Sequence, residues 1–287
     1  MATRNTLEYY AEPGPLTTAG PGATALAALP STVPDLLAAV RGLLVHEPGS
    51  ARSATGHLRA THQILDRILA ADPRPLTEPR PVARRVAGCC RHFTLFTVAA
   101  LRAHGIPARA RCGFARYFTP GRHGDHWVVE YWSAARSRWV LADAQLGPEL
   151  GQALGVAFDP ADVPRDEFVV AGAAWLRCRD GDLDPFRCGL EGEGQSGWWW
   201  IAGNLVRDVA ALSKVELLPW DVWGGMPGPD DPITDVLAEE FDQVAAITAD
   251  PDTAAGSRAR YANERFRAPA QVHNFLRQTK ESVVEIG

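Results

Sequence analysis

A long apolar run lies between Phe93 and Leu101, where side chains are hydrophobic on nearly every side of a helical projection. A helix with that pattern is buried in a protein core. Gly105 suits the position just after a helix C-terminus, and Pro107 prevents the helix from continuing. The pattern therefore predicts a central buried helix over about residues 89–104.

Two amphipathic helices are predicted before this one. Residues 34–44 begin with a proline and an aspartate, and their apolar residues recur at helical spacing. Residues 56–70 show the same periodicity. Residues 1–30 are rich in Pro, Gly, Thr and Ala and are predicted to form an arm on the surface, and residues 72–81, with four prolines, are predicted to be a linker.

After the central helix the pattern changes to that of strands. Residues 108–118, 126–132 and 138–143 are predicted to be strands, and residues 133–137 join the last two as a turn. A sheet that follows helices in the chain predicts an α+β fold, in which the central helix packs on an antiparallel sheet and helical extensions surround this core.

The turn also limits the register of this predicted hairpin. Antiparallel pairing would place His126 opposite residue 143, 144 or 145, so that it lies beside Asp143. In one of these registers, the two residues share a face with the pairs Val128–Leu141 and Glu130–Trp139. A slip of one residue would break this relation.

The remainder of the chain is predicted to be mostly helical. Short helices are expected at 164–177, a Gly-rich turn at 191–194, a helix at 204–214 and polar helices from 233 onward. We expect one integrated domain with three segments. These are an N-terminal arm with helices (1–81), a catalytic core (82–150) and a C-terminal extension packed on it (151–287).

Composition excludes several classes of protein. The net charge of −5 and the pI near 5.9 argue against a nucleic-acid partner. No stretch is long and apolar enough to predict a membrane span. The five cysteines are odd in number and form no C-x-x-C pair, and no signal peptide is evident, so we expect reduced thiols and a cytoplasmic location.

Cys90 is the candidate nucleophile, because it lies in the first turn of the predicted central helix. The helix dipole and the free N–H groups there favour a thiolate. A thiolate needs a base, and the base needs a group that orients it. His126 and Asp143, beside each other in the predicted hairpin, match these two roles.

These residues also carry a resemblance to a known family. Gly88-x-Cys90-x-x-Phe93, followed by Leu101-Arg102-Ala103-x-Gly105-Ile106-Pro107-Ala108-Arg109, resembles the transglutaminase-like superfamily of papain-related folds. His126-x-x-x-Glu130 and Trp139-x-x-x-Asp143 complete its Cys–His–Asp order. The resemblance implies a papain-like core and a catalytic triad of Cys90, His126 and Asp143, with Cys90 rather than Cys89 as the nucleophile.

The resemblance extends to a bacterial subgroup of that superfamily over nearly the whole chain. Its hallmarks are Tyr10-x-x-Pro13-Gly14, Ala110-Arg111-Cys112-Gly113-Phe114, Asp125-His126-Trp127, Asp143-Ala144-Gln145, Gly203-Asn204-Leu205-Val206-Arg207-Asp208 and Leu218-Pro219-Trp220-Asp221-x-Trp223-Gly224. Three positions depart from it. Cys89 replaces a usual Asn, His92 replaces a usual Asp, and Glu47-Pro48-Gly49 replaces a segment that contains tryptophan.

Six further residues are candidates for substrate contacts: Cys89, His92, Trp127, Trp199, Asn204 and Arg207. Each has a structural alternative. Cys89 would be a packed thiol, His92 a histidine at the edge of the core, the tryptophans core residues, and Asn204 and Arg207, with Asp208, residues that lock a helix to the core. A zinc site from Cys89, Cys90, His92 and His126 is a further alternative, although their spacing matches no structural zinc pattern. No metal or other cofactor is expected.

The expected chemistry is acyl transfer at an amide or thioester carbonyl through an acyl-Cys90 intermediate. The acyl group would pass to water, as in an amidase or peptidase, or to an amine. The expected partner is a small molecule or peptide that carries such a bond, with a carrier protein as a further partner. The alternatives are a biosynthetic acyltransferase or cyclase that uses carrier-bound thioesters, and a pseudoenzyme that only binds its ligand.

Overall fold

The computed structural model describes residues 2–46, 49–190 and 194–283. Its first elements are helices α1 (Arg4–Ala11), α2 (Ala23–Ala27), α3 (Val33–Leu43), α4 (Thr61–Ala71) and α5 (Cys90–Ala103), with short parallel strands β1 (Leu44–Val45) and β2 (Val86–Ala87). Strands β3 (Ala108–Ala115), β4 (His123–Ser133) and β5 (Arg138–Ala142) and helix α6 (Pro148–Leu154) follow.

The second half of the chain contains further helices and strands. These are β6 (Phe168–Val170), α7 (Ala171–Arg179), β7 (Cys188–Gly189), α8 (Trp198–Leu212), β8 (Asp221–Val222), α9 (Asp235–Thr248), α10 (Ser257–Tyr261), β9 (Gln271–Asn274) and β10 (Thr279–Ser282). The mixture of helices with a largely antiparallel sheet confirms the predicted α+β class. Residues 47–48 of the Glu47-Pro48-Gly49 departure and residues 191–193 of the predicted Gly-rich turn lie outside the described residues.

The described chain divides into two compact units. The first comprises residues up to Ala110 and Val128–Val163, and the second comprises Arg111–Trp127 and the residues from Pro164 onward. The three predicted segments, 1–81, 82–150 and 151–287, stay a prediction.

Helix α5 is the core of the first unit. Every residue from Arg91 to Arg102 is buried, and α1, α2, α3 and α4 all contact this helix. The helix ends as the sequence predicts, because Gly105 takes a positive φ of 69° and the N–H of Ile106 bonds to the carbonyl of Leu101. The predicted limits of the helix are correct to within one residue.

The N-terminal segment is not a surface arm, which corrects the prediction for residues 1–30. Tyr10 and Leu16 are fully buried, and α1 starts at the side-chain cap of Thr3. Arg102 of α5 ties the segment down, donating to the carbonyl of Tyr10 and to the hydroxyl of Thr17 at 3.3 and 2.8 Å. The prolines and glycines of this segment lie at the ends of short helices. They do not prevent helices from forming between them.

The main sheet has the strand order β5-β4-β3-β6, and β7 pairs with the start of β4. In the first unit, β4 and β5 pair antiparallel from Ser133–Arg138 to Val129–Ala142. The register that pairs Val128 with Leu141 is therefore wrong, because Leu141 lies opposite Glu130. The pairs end at Val129, so the ladder reaches neither His126 nor Asp143. In a hairpin, the type and length of the turn fix the register, and a change of one residue in the turn shifts every pair.

Several predicted limits are also corrected. The helix expected at 56–70 starts at Thr61, the strand expected at 108–118 ends at Ala115, and α8 begins at Trp198, six residues before the prediction. Part of the region predicted as helices at 164–177 is strand β6, which pairs with β3. The C-terminal part contains the β9–β10 hairpin, which pairs with β8 where only helices were expected.

Candidate functional site

Cys90 is the first residue of α5, and Cys89 is its N-cap in an extended conformation. Of the five cysteines, Cys90 is partly exposed and the other four are buried. At this position the N–H groups of the first turn and the helix dipole favour negative charge on a side chain. Cys90 therefore combines access with an environment that favours a thiolate.

Cys89 and His92 contact each other at the start of α5. Nδ1 of His92 accepts from the backbone N–H of Cys89 at 3.2 Å, and the backbone N–H of His92 donates to the carbonyl of Cys89 at 2.8 Å. The Sγ of Cys89 is also 3.2 Å from this Nδ1. The bond from the Cys89 N–H to the third helical residue is one half of a capping box, so His92 helps to fix the start of α5 and with it the position of Cys90.

The Cys89 thiol is acidic despite its burial. Burial alone would raise its pKa, but a hydrogen bond with Cys90 and the charge and hydrogen bond of His92 lower that pKa well below the usual thiol value. Cys90, Cys89 and His92 thus form one group at the helix N-terminus in which a negative charge on sulfur is stabilised. The sequence predicts Cys89 as a substrate contact, with a packed thiol as the alternative, and neither prediction includes this acidity.

Gly88 is needed because His92 lies directly over it. A Cβ atom at position 88 would be 2.8 Å from the Cβ of His92, closer than real contacts allow. The glycine of the Gly-x-Cys motif therefore lets the chain enter the helix close to the His92 side chain. Gly88 itself is buried.

Asp143 follows the last residue of β5 and is 1% exposed. Its Oδ1 accepts from the backbone N–H groups of Gln145 and Leu146 at 2.8 and 3.2 Å. Its own N–H donates to the carbonyl of Pro160 at 2.8 Å. These bonds hold the carboxylate in one orientation, as the role of an orienting group requires.

His126 lies in β4, in the second unit, and is 2% exposed. Three aromatic rings surround its imidazole at steep angles. Phe118 is 4.8 Å away between ring centres, Tyr117 is 6.2 Å away and Phe168 is 6.3 Å away. Edge-to-face packing of this kind fixes the plane of the ring. The sequence gives no signal for this aromatic setting, because the three rings come from a loop and a distant strand.

Asn204 and Arg207 of α8 are buried in a polar network of the second unit. Asn204 donates to the carboxylate of Asp125 at 3.1 Å, and Arg207 donates to Oδ1 of Asn204 at 3.1 Å and to the carbonyl of Asp221 at 3.2 Å. Trp200 also donates to Asp125, at 2.6 Å. These contacts agree with the structural alternative for Asn204 and Arg207, in which the two residues hold α8 against the surrounding core.

Asp125 is the centre of that network and was not among the predicted site residues. Burial raises the pKa of its carboxyl, and Arg207, Asn204 and Trp200 oppose the rise. Its neighbour in α8, Asp208, accepts two bonds from Arg111 at 3.0 and 2.8 Å and one from the backbone N–H of Cys112. The hallmark segments quoted above contain all these residues except Trp200.

The two predicted tryptophans have different settings. Trp127 is 1% exposed. Trp199 is partly exposed and lines a cavity of about 410 Å³ in the second unit, together with Trp175, Phe186 and Trp198. Trp199 thus has the access that a contact with a ligand requires.

No group of three or more His, Cys, Asp or Glu side chains in the described ranges could hold a metal ion, so the zinc alternative gains no support. Within the same ranges, no helix has both the length and the apolar character needed to cross a bilayer.

Comparison with known proteins identifies the region around Cys90. Residues 55–144 match the transglutaminase-like superfamily, a span that includes Cys90, His126 and Asp143. The chain carries a transglutaminase-like domain. Such a domain points to thiol-dependent catalysis in general terms, and the match confirms the predicted resemblance to this superfamily. The predicted bounds of the core stay a prediction. A search of curated proteins found no match.

One solved structure also resembles the chain. It is a candidate cysteine protease from Cytophaga hutchinsonii, 16% identical in sequence, with a TM-score of 0.37. The alignment covers 58% of this chain and 46% of that protein, so the chain spans less than half the length of its structural relative.

Proposed function

We propose that the transglutaminase-like domain catalyses acyl transfer through an acyl-Cys90 intermediate. The observation that carries the proposal is the position of Cys90, which is partly exposed at the first residue of α5 within the matching span. A thiolate is the reactive form of cysteine, and a helix N-terminus favours it.

In the proposed reaction, the Cys90 thiolate attacks an amide or thioester carbonyl and forms a tetrahedral oxyanion. Collapse of this species breaks the bond to the leaving amine or thiol, and the His126 imidazolium returns the proton that it took from Cys90. Asp143 orients His126. Water or an amine then attacks the thioester, loses a proton to His126 and frees Cys90.

His92 would support this chemistry by fixing the start of the helix that carries Cys90. The Cys89 thiol next to it has a lowered pKa, to which a hydrogen bond with Cys90 contributes. The substrate would be a small molecule or peptide with an amide or thioester bond, free or on a carrier protein.

Alkylation kinetics test the nucleophile. Iodoacetamide at neutral pH, followed by peptide mass analysis, should modify Cys90 at least about tenfold faster than Cys188. Cys188 is a matched internal control, because a hydrogen bond with Cys178 and burial raise its pKa far above the usual range. Cys90→Ala should lose turnover of an acyl thioester or amide probe, and Cys188→Ala should keep it.

Two results would overturn the proposal. One is equal reactivity of Cys90 and Cys188. The other is loss of turnover in Cys89→Ser while Cys90→Ser retains it, which would make the acidic Cys89 thiol the nucleophile. Retention of helix content by both variants excludes misfolding as the cause.

A further inference from the structure

A second cavity, of about 630 Å³, lies in the second unit near the start of β4 and is lined by arginines. Arg116 and Arg122 come from the segment between β3 and β4, Arg177 from the end of α7, and Arg187 from the turn before β7. We call this cavity the arginine pocket. Its volume is in the range of sites for small molecules, which is roughly 300–1,000 Å³.

The positive charge of the arginine pocket is poorly balanced. Arg116 and Arg122 donate only to backbone carbonyls, those of Asp166 and Leu190, each at 3.3 Å. Within the described residues, Arg116, Arg122 and Arg177 have no carboxylate partner. Guanidinium groups without a carboxylate favour an anion, which they can bind through two parallel hydrogen bonds.

Two aspartates also line the pocket, but one of them is already engaged. Asp184 accepts from the backbone N–H of Phe186 at 2.9 Å, and its other oxygen lies 3.8 Å from Nε of Arg187. Asp182 is exposed. The two carboxylates therefore leave an excess of arginine charge around the pocket.

His123 provides independent evidence of a ligand. It is 9% exposed, and both of its ring nitrogens are buried without a hydrogen-bond partner among the described residues. A buried polar atom without a partner costs about 1–3 kcal/mol, so such atoms are rare unless something else binds them. Burial and the charges of Arg177, Arg116 and Arg187 lower its pKa to about 4, so the ring is neutral and has one N–H to donate.

We propose that the arginine pocket binds the oxyanion group, a phosphate or a carboxylate, of a small molecule. The guanidinium groups of Arg116, Arg122 and Arg177 would hold the oxygens, and a ring N–H of His123 would donate to one of them. The guanidinium groups of Arg116, Arg122 and Arg177 and the ring N–H of His123 each gain a partner in this arrangement.

The arginine pocket is distinct from the proposed acyl-transfer site. His123 and His126 are three residues apart on β4, and side chains at odd separations leave opposite faces of a strand. The bound anion would therefore act as a second ligand, and the proposal does not depend on acyl transfer through Cys90.

Calorimetry on the full chain tests this proposal with inorganic phosphate and with succinate, against sodium chloride at equal ionic strength. Saturable binding of either probe supports the pocket, and the better probe identifies the anionic group. Arg177→Gln and His123→Gln should each weaken binding by about tenfold or more. Arg67→Gln is the matched control, because Arg67 is exposed on α4 and has no partner among the described residues.

The His123 ring gives a second readout that needs no arginine variant. Its pKa, followed by NMR, should rise from about 4 when the better probe is added, because a bound anion stabilises the imidazolium. The proposal is overturned if neither probe binds saturably, if Arg67→Gln weakens binding as much as Arg177→Gln, or if the His123 titration is unchanged.

Discussion

At the scale of single residues, His92 helps to set the start of α5. Its Nδ1 accepts from the backbone N–H of Cys89, as the residue at the third helical position does in a capping box. Cys89 and His92 are two of the positions at which the chain departs from the subgroup that it resembles. Both side chains lie next to Cys90, the candidate nucleophile.

The buried ion pair of Arg109 and Glu130 is a second feature that concerns single residues. The Nε of Arg109 donates to Glu130 at 2.7 Å, with both side chains fully buried, and its guanidinium lies 3.9 Å from the ring centre of Trp139. Burying two charges is costly, and hydrogen bonds and the aromatic face offset that cost. Arg109 and Glu130 were noted in the sequence only as parts of motifs, without this partnership.

Glu130→Gln tests the energetic weight of this pair. The change leaves a buried guanidinium without its counter-charge, so the free energy of unfolding should fall by about 3–5 kcal/mol in urea. Asp162→Asn is the matched control, because its partners Arg136 and Arg138 are 51% and 49% exposed, and it should cost less than about 1 kcal/mol. Equal losses in the two variants would contradict the argument.

At the scale of elements, the pairing of β3 with β6 depends on a glycine in β3. All eight of its residues are buried. Gly113 faces β6 so closely that a Cβ atom there would be 2.3 Å from the carbonyl oxygen of Val169 and 2.8 Å from the Cα of Val170. The glycine permits the pairing of β3 with β6. The sequence predicted helix for the residues that form β6.

Gly113→Ala should therefore disturb the pairing of β3 with β6. We expect a loss of about 1–3 kcal/mol or more in the free energy of unfolding, because backbone atoms of β6 would have to move. Gly151→Ala is the control. It lies inside helix α6, its Cβ would have a neighbour only at 3.9 Å, and alanine there should be neutral or stabilise by about 0.5–1 kcal/mol.

The measurement for these two glycines is chemical unfolding, with hydrogen exchange at the amides of Val169 and Val170 as a local readout. Faster exchange at these amides in Gly113→Ala is the expected result. A variant as stable as the parent, with unchanged exchange, would show that β6 can shift without cost.

At the scale of the whole molecule, stability should depend on pH through His123. Its pKa in the folded chain is about 4, below its ordinary 6.5, because of burial and of Arg177, Arg116 and Arg187. Between these values the unfolded chain binds a proton that the folded chain does not. Stability from this group is therefore complete above pH 6.5 and is lost as the pH falls towards 4.

Urea unfolding from pH 4 to 8 in chloride salts tests this dependence. The parent should lose more stability on acidification than His123→Gln, which has no group to titrate at that position. The difference between the two proteins should change only in the window between the two pKa values. A difference that is constant with pH would contradict the assignment.

The limits of α5, its glycine C-terminus and the position of Cys90 follow from the sequence alone, because helix periodicity, capping and termination depend on residues within a few positions of each other. The α+β class follows from the change of period after Gly105. The motifs that carry the transglutaminase-like resemblance are also local in the sequence.

Other features required the tertiary structure. The register of β4 with β5, the helices of the N-terminal segment and the C-terminal hairpin depend on which elements meet, since packing overrides local propensity. The aromatic rings around His126 and the arginine pocket combine residues up to about 70 positions apart. The sequence determined where the thiol lies on its helix, and the tertiary structure decided which charged and aromatic groups surround the histidines.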